Sequence, residues 1–196
     1  MFKKRTILGT GMEDILIKGC VEWDRASQNK LYALYASKMF AVCFKYSSSK
    51  EDAEDTFHEG FMKVFEHIKD FKKEGLLEGW IRRIMVNTAI EKYRKQLRMI
   101  AVISINEAHT DFGNHFVDDI LSKIAADDLM HLIQKLPPQY KMVFNLYEFE
   151  GLKHKEIAAL LDITEGSSKS NLSRARASLQ ESVRITLGSL YENIAK

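Results

Sequence analysis

The chain has 196 residues, of which 45% are hydrophobic and 29% charged, and its formal net charge is +2. This balance is typical of a folded protein with one or two cores and excludes a disordered tail. Because the net charge is small, binding of nucleic acid has to come from local basic patches. Only two prolines and long periodic stretches rich in Leu, Ala, Lys and Glu predict an all-α protein.

Cysteine usage and hydropathy indicate the compartment. Cys20 and Cys43 lie in apolar periodic surroundings, which predicts reduced thiols of a cytosolic protein. No run reaches the roughly 18 apolar residues that span a bilayer, and the basic start lacks the apolar core of a signal peptide. We therefore expect a cytoplasmic protein without membrane insertion.

The N-terminal part begins with residues 1–11, which show no clear period and are predicted to form a loose arm. A short helix is predicted from near Met12. A core helix follows over residues 29–46, where apolar side chains repeat at helical spacing. Ser48 and Glu51 then fit the capping box of a third helix.

The third predicted helix has two chemically different faces. One is an apolar stripe, and the opposite face gathers an acidic row and one methionine within about 80°: Asp52, Asp55, Glu59, Met62 and Glu66. Two interpretations stay open. A row of carboxylates is usually a solvated face, whereas an exposed Met62 favours a partner surface.

The histidines do not form a metal-binding pattern. His58 and His67 are nine residues apart and lie on roughly opposite faces of one helix, so the zinc spacing H-E-x-x-H is absent. His109 and His115 lack cysteine or carboxylate neighbours at the spacing of a metal site. We expect no metal and no cofactor.

A basic helix follows a turn-forming segment at residues 69–79. Residues 80–98 contain six basic residues and one acidic residue, a net charge of +5 in a chain whose total is +2. One side of this helix collects polar and charged residues within about 80°: Arg83, Asn87, Glu91, Arg94 and Arg98. Asn and Arg can bind base edges. Trp80 can stack on an unpaired base or anchor the core, and both roles remain open.

Residues 99–121 lose the helical period and contain Asn, Gly and Asp, so they are predicted to form a flexible linker between two domains. Helices resume over residues 122–135 and 139–150, separated by Pro137 and Pro138. A tail helix is predicted over residues 182–195.

Residues 153–179 predict a helix, a tight turn and a second helix. Ile157 and Leu161 share one apolar face of the first helix, which is predicted to stop at Asp162. Thr164 is the expected N-cap of the second helix, because its hydroxyl can accept an unpaired backbone N–H. Glu165 places negative charge at the positive end of the helix dipole.

The second helix of this unit has a packed face and an outward face. Ser168, Leu172, Ala175 and Leu179 are predicted to pack. The outward face is small, hydroxylic and basic, and consists of Gly166, Ser170, Ser173, Arg174 and Ala177, with Lys169 and Arg176 on its flanks. Such a face can enter a major groove, read bases and hold phosphates. The alternative is an αα-hairpin whose outer face is merely solvated.

Three motifs in this order resemble the extracytoplasmic-function (ECF) group of the sigma-70 family of RNA polymerase initiation factors. They are EDAEDTFHEGFMKVFEHI, EGWIRRIMVNTAIEKYRK and LPPQYKMVFNLYEFEGLKHKEIAALLDITEGSSKSNLSRARASL. The resemblance implies two small helical domains, sigma region two over residues 12–98 and sigma region four over residues 122–196. Residues 99–121 would be the flexible linker between them.

The resemblance also implies the partners and their sites. Core polymerase would dock its largest-subunit clamp helices on Asp52, Asp55, Glu59 and Met62. The minus-ten promoter element would be melted and read as single-stranded DNA by Trp80, Arg83, Asn87, Glu91 and Arg94. The minus-thirty-five element would be read as duplex by Ser167, Lys169, Ser170, Asn171, Ser173, Arg174 and Arg176. An anti-sigma factor is a further candidate partner, and no small-molecule substrate is expected.

Four positions depart from the family pattern. His58 stands where Gln is frequent, Lys153 where a capping Ser is common, Asp162 where a turn Gly is frequent, and Ser168 where a buried Val is usual. A serine on the packed face predicts either a looser core under the recognition helix or a compensating hydrogen bond.

Two other functions were weighed. A stand-alone transcriptional regulator would bind duplex DNA without polymerase, but it would leave the basic Trp80 helix and the acidic face without a role. An enzyme using a metal or a nucleotide is disfavoured, because EGSSKS lacks the leading Gly and preceding strand of a phosphate-binding loop. We expect that the protein is not an enzyme.

Overall fold

The computed structural model describes residues 10–103 and 126–194, and the side-chain surroundings of residues 11–99 and 128–185. All regular structure within these residues is helical, in agreement with the predicted all-α class. The elements are α1 Thr10–Val21, α2 Arg25–Tyr46, α3 Lys50–His67, a 3-10 turn Ile68–Asp70, α4 Leu77–Ile103, α5 Ala126–Gln134, α6 Pro138–Glu148, α7 His154–Leu161 and α8 Glu165–Ile194.

Three helices are longer than predicted. Helix α2 begins at Arg25, four residues before the predicted start, and α4 begins at Leu77, within the segment predicted to form a turn. Helix α4 continues to Ile103, so residues 99–103, which were predicted to begin the linker, are helical. No Gly or Pro interrupts the chain between Trp80 and Ile103, and nothing local ends the helix earlier. Helix α8 likewise runs unbroken to Ile194, so the predicted separate tail helix is its continuation. The remaining predicted linker, residues 104–121, lies outside the described residues.

The contacts divide the described chain into two units, the first consisting of residues up to Cys43 and residues 51–89. Its core is built around aromatic rings on α3, where Phe57 and Phe61 lie 5.0 Å apart and both contact Tyr32 on α2. Gly60 lies so close to α4 that a Cβ there would collide with the sulfur of Met85. This close approach fixes α4, and with it the basic face, against the acidic helix.

The second unit consists of residues 44–50 and the described residues from Ile90 onward. Within it, α6 and α7 pack on α8, and Ile133, Leu146, Ile157 and Leu179 are fully buried. Pro138 occupies the first turn of α6, where its missing N–H removes no hydrogen bond, as the Pro137-Pro138 break predicted.

The end of α2 is capped by side chains of this second unit. Gln134 Nε2 donates to the Phe44 carbonyl at 3.2 Å, Asn145 Nδ2 to Lys45 at 2.7 Å, and Lys141 Nζ to Ser47 at 3.0 Å. The last carbonyls of a helix have no partner within the helix, and these contacts satisfy three main-chain acceptors there. No sequence pattern indicated this arrangement.

Cys20 and Cys43 are buried free thiols, as predicted from their apolar surroundings. Burial, together with the nearby Asp24 carboxylate, raises the pKa of Cys20 to about 11. Among the described helices, none is both long and apolar enough to cross a membrane.

Candidate nucleic-acid interfaces

The acidic face of α3 lies on the surface. Asp55, Glu59 and Met62 are exposed and Asp52 is half-buried, at intervals of three or four residues that align them on one side of the helix. Met62 is 59% exposed, which is unusual for a methionine amid carboxylates. Glu59 pairs with Lys63 at 2.9 Å. The structure therefore brings the four predicted residues to one accessible stripe.

The basic helix α4 presents the five predicted minus-ten residues in a single row. Their spacing of three, four, four and three residues keeps Trp80, Arg83, Asn87, Glu91 and Arg94 on one side, and all except the half-buried Trp80 are exposed. In the part of the chain that the structure describes, no ion pair holds Arg83 or Arg94. Two cations of this row are thus available to an external anion.

A cavity of about 440 Å³ lies at the N-terminal end of that row. Its walls come from the loop before α4 and the first turns of the helix, and consist of Asp70, Phe71, Lys72, Glu74, Gly75, Leu76, Gly79, Trp80 and Arg83. The Phe71 and Trp80 rings lie 5.6 Å apart at 50°. Aromatic walls beside an arginine are suited to a planar group attached to a phosphate.

The family resemblance implies that the loop before the Trp80 helix takes part in reading the minus-ten element, but sequence reasoning named no individual residue of that loop. Phe71 stands between charged residues in the run Lys69 to Lys73, and a lone aromatic in a basic loop is the signal that could have indicated it. Trp80, for which two roles were open, is half-buried and lines the cavity instead of filling the core.

The turn before α8 has the predicted geometry. Helix α7 ends at Leu161, and Asp162 adopts φ 57°, the left-handed conformation for which Gly is favoured. The Ser167 backbone N–H donates to Thr164 Oγ1 at 3.0 Å, which confirms Thr164 as the cap. At the start of α7, the Glu156 carboxylate accepts from the Lys153 backbone N–H at 2.7 Å, which is the half of a capping box that needs no acceptor on the Lys153 side chain.

The predicted packed face of α8 is confirmed, because Ser168, Leu172, Ala175 and Leu179 are all buried. Of the predicted minus-thirty-five residues, Lys169 and Ser170 are exposed, and Ser167, Ser173, Arg174 and Arg176 are half-buried. Asn171 differs, because it is only 5% exposed and its Nδ2 has no hydrogen-bond partner in the described part of the chain. Its side chain is thus directed inward.

Two cations of α8 are held by neighbouring carboxylates. Arg176 donates to Glu148 Oε1 from Nε at 3.0 Å and from Nη2 at 2.7 Å, and its guanidinium lies 5.7 Å from the Tyr147 ring. Lys169 pairs with Glu165 at 2.7 Å, and this hydrogen bond is the main reason why the pKa of Glu165 is lowered. These pairs orient the cations before any ligand arrives.

Ser168 has the compensating hydrogen bond that was one of the two expectations for this position. Its Oγ lies 2.9 Å from Nδ1 of His154, the first residue of α7. The His154 ring stacks on Tyr147, with centroids 4.8 Å apart and planes at 24°. The partner was not predicted, since His154 and Ser168 are fourteen residues apart in no recognised motif.

Comparison with known proteins identifies the class. The family model for sigma-70 region 2 matches residues 31–99, and that for sigma-70 region 4 matches residues 126–179, which together cover more than half of the chain. The ECF RNA polymerase sigma-E factor of Haemophilus influenzae is 26% identical over 88% of this chain and 95% of that protein. The ECF RNA polymerase sigma factor SigW of Bacillus subtilis is 25% identical over 86% of this chain and 95% of that protein.

Among solved structures, the sigma factor RpoE in complex with the anti-sigma factor NepR from Bartonella quintana is similar, with a TM-score of 0.48 and 21% identity over 80% of this chain and 96% of that chain. The present chain belongs to the ECF group of the sigma-70 family, as its motifs indicated. It is therefore an RNA polymerase sigma factor, a protein that acts in transcription initiation.

Proposed function

We propose that this sigma factor docks on core RNA polymerase through α3, opens and holds the minus-ten element on α4, and reads the minus-thirty-five element with α8. The observation that carries the proposal is the presence of two chemically distinct basic surfaces on one chain. One is an open row of side chains beside an aromatic cavity, and the other is a capped helix-turn-helix. In this assignment residues 12–98 act on polymerase and the minus-ten element, and residues 122–196 on the minus-thirty-five element.

Polymerase docking is assigned to Asp52, Asp55, Glu59 and Met62. Exposed charges of one sign steer a partner of the opposite sign, and an exposed methionine adds adaptable apolar contact. The stripe is accessible and lies opposite the side of α3 that packs in the core. The partner surface should accordingly be basic with an apolar centre.

Strand capture is assigned to α4 and its cavity. Opening a duplex requires contacts that only the unpaired strand can make, because these offset the free energy of unpairing. Stacking on an aromatic side chain contributes about 1–3 kcal/mol per base. Trp80 and Phe71 would take a base into the cavity, while Arg83 and Arg94 would hold the strand's phosphates along the exposed row.

Duplex reading is assigned to the outward face of α8. Small and hydroxylic residues allow close approach to the groove floor, and Arg174 is the residue best suited to a bidentate base contact. Lys169 and Arg176 would bind phosphates and set the register. The inward Asn171 would support the helix, unless its side chain rotates when DNA binds.

The same proposal makes the protein an initiation factor without catalytic activity of its own, acting in the cytoplasm where promoter DNA and polymerase meet. An anti-sigma factor is proposed as a further partner on the strength of the family alone. No small-molecule substrate and no metal is needed for any step.

The first test is run-off transcription from fragmented genomic DNA by purified core polymerase, with and without this protein. New and specific start sites that depend on the protein are expected, and they would define the two promoter elements. If the folded protein binds duplex DNA but produces no start sites, the function is that of a stand-alone regulator.

A second test addresses docking. The double variant Asp55→Lys with Glu59→Lys should weaken binding to core polymerase at least tenfold, while the free energy of unfolding changes little because exposed charges contribute little to stability. Glu54→Lys, an exposed reversal on another side of α3, is the matched control. Equal affinity of the double variant and the control would contradict the docking assignment.

A further inference from the structure

A polar contact joins the start of α7 to the first turn of α8. Ser168 is fully buried, and its Oγ lies 2.9 Å from His154 Nδ1. A buried hydroxyl without a hydrogen-bond partner destabilises a fold, so the partner of Ser168 is structurally important. His154 provides this partner from the neighbouring helix.

The histidine is itself held in place from a third helix. Its ring is stacked on Tyr147 of α6, and Arg176 of α8, paired with Glu148, lies over the same tyrosine. The contact therefore belongs to a chain of side chains that crosses α6, α7 and α8. A rotation of α8 about its axis would break it, because Ser168 lies in the first turn of that helix.

We propose that His154 is a positioning residue for the recognition helix, and that discrimination of the minus-thirty-five element depends on its hydrogen bond to Ser168. This inference rests on the proposed role of α8 as the duplex reader. Ser168 is adjacent to Ser167 and Lys169, two of the predicted reading residues, so a small rotation at Ser168 displaces both. Base readout tolerates little displacement, because bidentate hydrogen bonds to bases require fixed geometry.

The surroundings of His154 make the contact sensitive to pH. Partial burial and then the positive charge of Lys169 lower the pKa of His154; the Glu165 carboxylate opposes this shift, and Arg176 adds a smaller lowering. Lys155, the next residue in sequence, and Glu148, the partner of Arg176, are further charged groups on the neighbouring elements. The folded state therefore favours the neutral ring.

The sign of the pH effect follows from this lowered pKa. The stabilising contribution is present above the ordinary histidine pKa of about 6.5 and is lost as the pH falls through the lower value in the folded protein. Protonation leaves His154 Nδ1 able to donate to Ser168 Oγ but no longer able to accept from it. It also adds a third positive charge beside Lys169 and Arg176, which strengthens contacts to any phosphate. Lower pH should thus reduce sequence discrimination while raising non-specific affinity.

The test measures promoter binding by the reconstituted holoenzyme between pH 7.5 and pH 5.5. The probes are a fluorescent promoter fragment from the run-off experiment and the same fragment with a scrambled minus-thirty-five element. The readout is the ratio of the two Kd values. Wild-type holoenzyme is expected to lose discrimination as the pH falls.

Four variants separate the hydrogen bond from packing. Ser168→Ala and His154→Phe both remove the hydrogen bond between residues 154 and 168, and His154→Phe keeps an aromatic ring stacked on Tyr147. Each variant should lower the ratio of the two Kd values about fivefold at pH 7.5, as expected for the loss of one hydrogen bond. His154→Asn retains a hydrogen-bonding group near Nδ1 but cannot titrate, so it should keep most of the ratio and lose its pH dependence. His131→Asn, at an exposed histidine of α5, should behave as the wild type.

Three outcomes would contradict the positioning role, the pH mechanism or the proposed duplex reading, respectively. An unchanged ratio in both Ser168→Ala and His154→Phe, with circular dichroism showing intact folding, would overturn the positioning role. Persistent pH dependence in His154→Asn would overturn the pH mechanism. If wild-type holoenzyme does not discriminate between the two fragments at any pH, the proposed duplex reading by α8 fails, and this inference fails with it.

Discussion

The rows on α4 and α8 that are proposed to bind DNA differ in how some of their cations are held. On α4, Arg83 and Arg94 stand exposed, and the described residues provide no ion pair for either. On α8, Lys169 and Arg176 are each held by a carboxylate at 2.7 Å. The cations of the α4 row are thus exposed beside a cavity, whereas the two cations of α8 are held in position by neighbouring carboxylates.

The difference matches what each proposed ligand requires. A single strand is flexible and can adapt to a row of mobile cations, provided that aromatic groups hold its bases. A duplex presents its base edges at fixed positions, so the reading side chains must be ordered before binding. Counting basic residues in a sequence therefore does not reveal whether their side chains are free to adapt to a ligand or are held in place by ion pairs.

Among the substitutions that test this difference between α4 and α8, the largest effect on transcription is expected at Trp80 in the cavity. Trp80→Ala should reduce run-off transcription from duplex promoters by about fivefold to 150-fold, because a stack of about 1–3 kcal/mol is lost. A template with a mismatched, already open minus-ten region should recover most of the activity. Trp80→Phe should retain stacking, and Trp23→Ala, at a tryptophan that is 61% exposed and outside the cavity, is the matched control. Equal loss on open and duplex templates would argue against a role in opening.

The next effect concerns base reading by α8. Arg174→Ala should lower the discrimination among minus-thirty-five sequences by about 1–3 kcal/mol, the range for one bidentate base contact. The measurement is holoenzyme affinity for a set of single-base variants of the element. Arg184→Ala, on the same helix and paired with Glu181, serves as control. Uniform weakening on every sequence would make Arg174 a phosphate contact.

A smaller effect is expected from removing the Thr164 hydroxyl, and it tests whether this N-cap orders the start of α8. Thr164→Ala should lower the stability of the helix-turn-helix by about 1 kcal/mol, because the Ser167 N–H loses its acceptor. Hydrogen exchange at the Ser167 amide should accelerate about fivefold by the same reasoning. Thr164→Ser keeps a hydroxyl and should exchange as the wild type does. Unchanged exchange in Thr164→Ala would show that the cap does not order the helix start.

The smallest effect is expected from breaking the ion pair between Glu148 and Arg176. Glu148→Gln removes the carboxylate that orients this guanidinium and offsets its positive charge at the proposed phosphate contact. The slope of log affinity against log salt concentration should then steepen by about 1, with a modest loss of discrimination. Glu181→Gln, which frees Arg184 away from the proposed interface, should leave the slope unchanged. A shallower slope in Glu148→Gln would mean that the pair already contacts DNA as a unit.

The positions of the row on α4 and the stripe on α3 were predicted correctly, because the helical period alone determines which of their side chains align. The row from Trp80 to Arg94 and the stripe from Asp52 to Met62 lie on the predicted sides, because 3.6 residues per turn dictates which side chains align. Thr164 and Asp162 were placed correctly by local capping and turn chemistry. The start of the linker was placed too early, since α4 continues to Ile103.

The inward direction of Asn171 was missed although the helical period indicates it, since Asn171 lies three residues after Ser168 and four before Ala175. The restraint on Arg176 could not be read in this way, because Glu148 of α6 approaches α8 only after folding. The same reason explains why Phe71 was missed, as its pairing with Trp80 requires the loop before α4 to fold back on the helix.

Periodicity, capping and motif order are local properties of the chain, and they suffice to establish the helical class, the faces of α3, α4 and α8, and membership of the sigma-70 family. The folded structure was needed to establish which cations are paired and which are exposed, where the cavity lies, and that His154 satisfies the buried Ser168 hydroxyl. Those features arise from distances between helices remote in sequence, and such distances are set by the packing of cores instead of by any single stretch of residues.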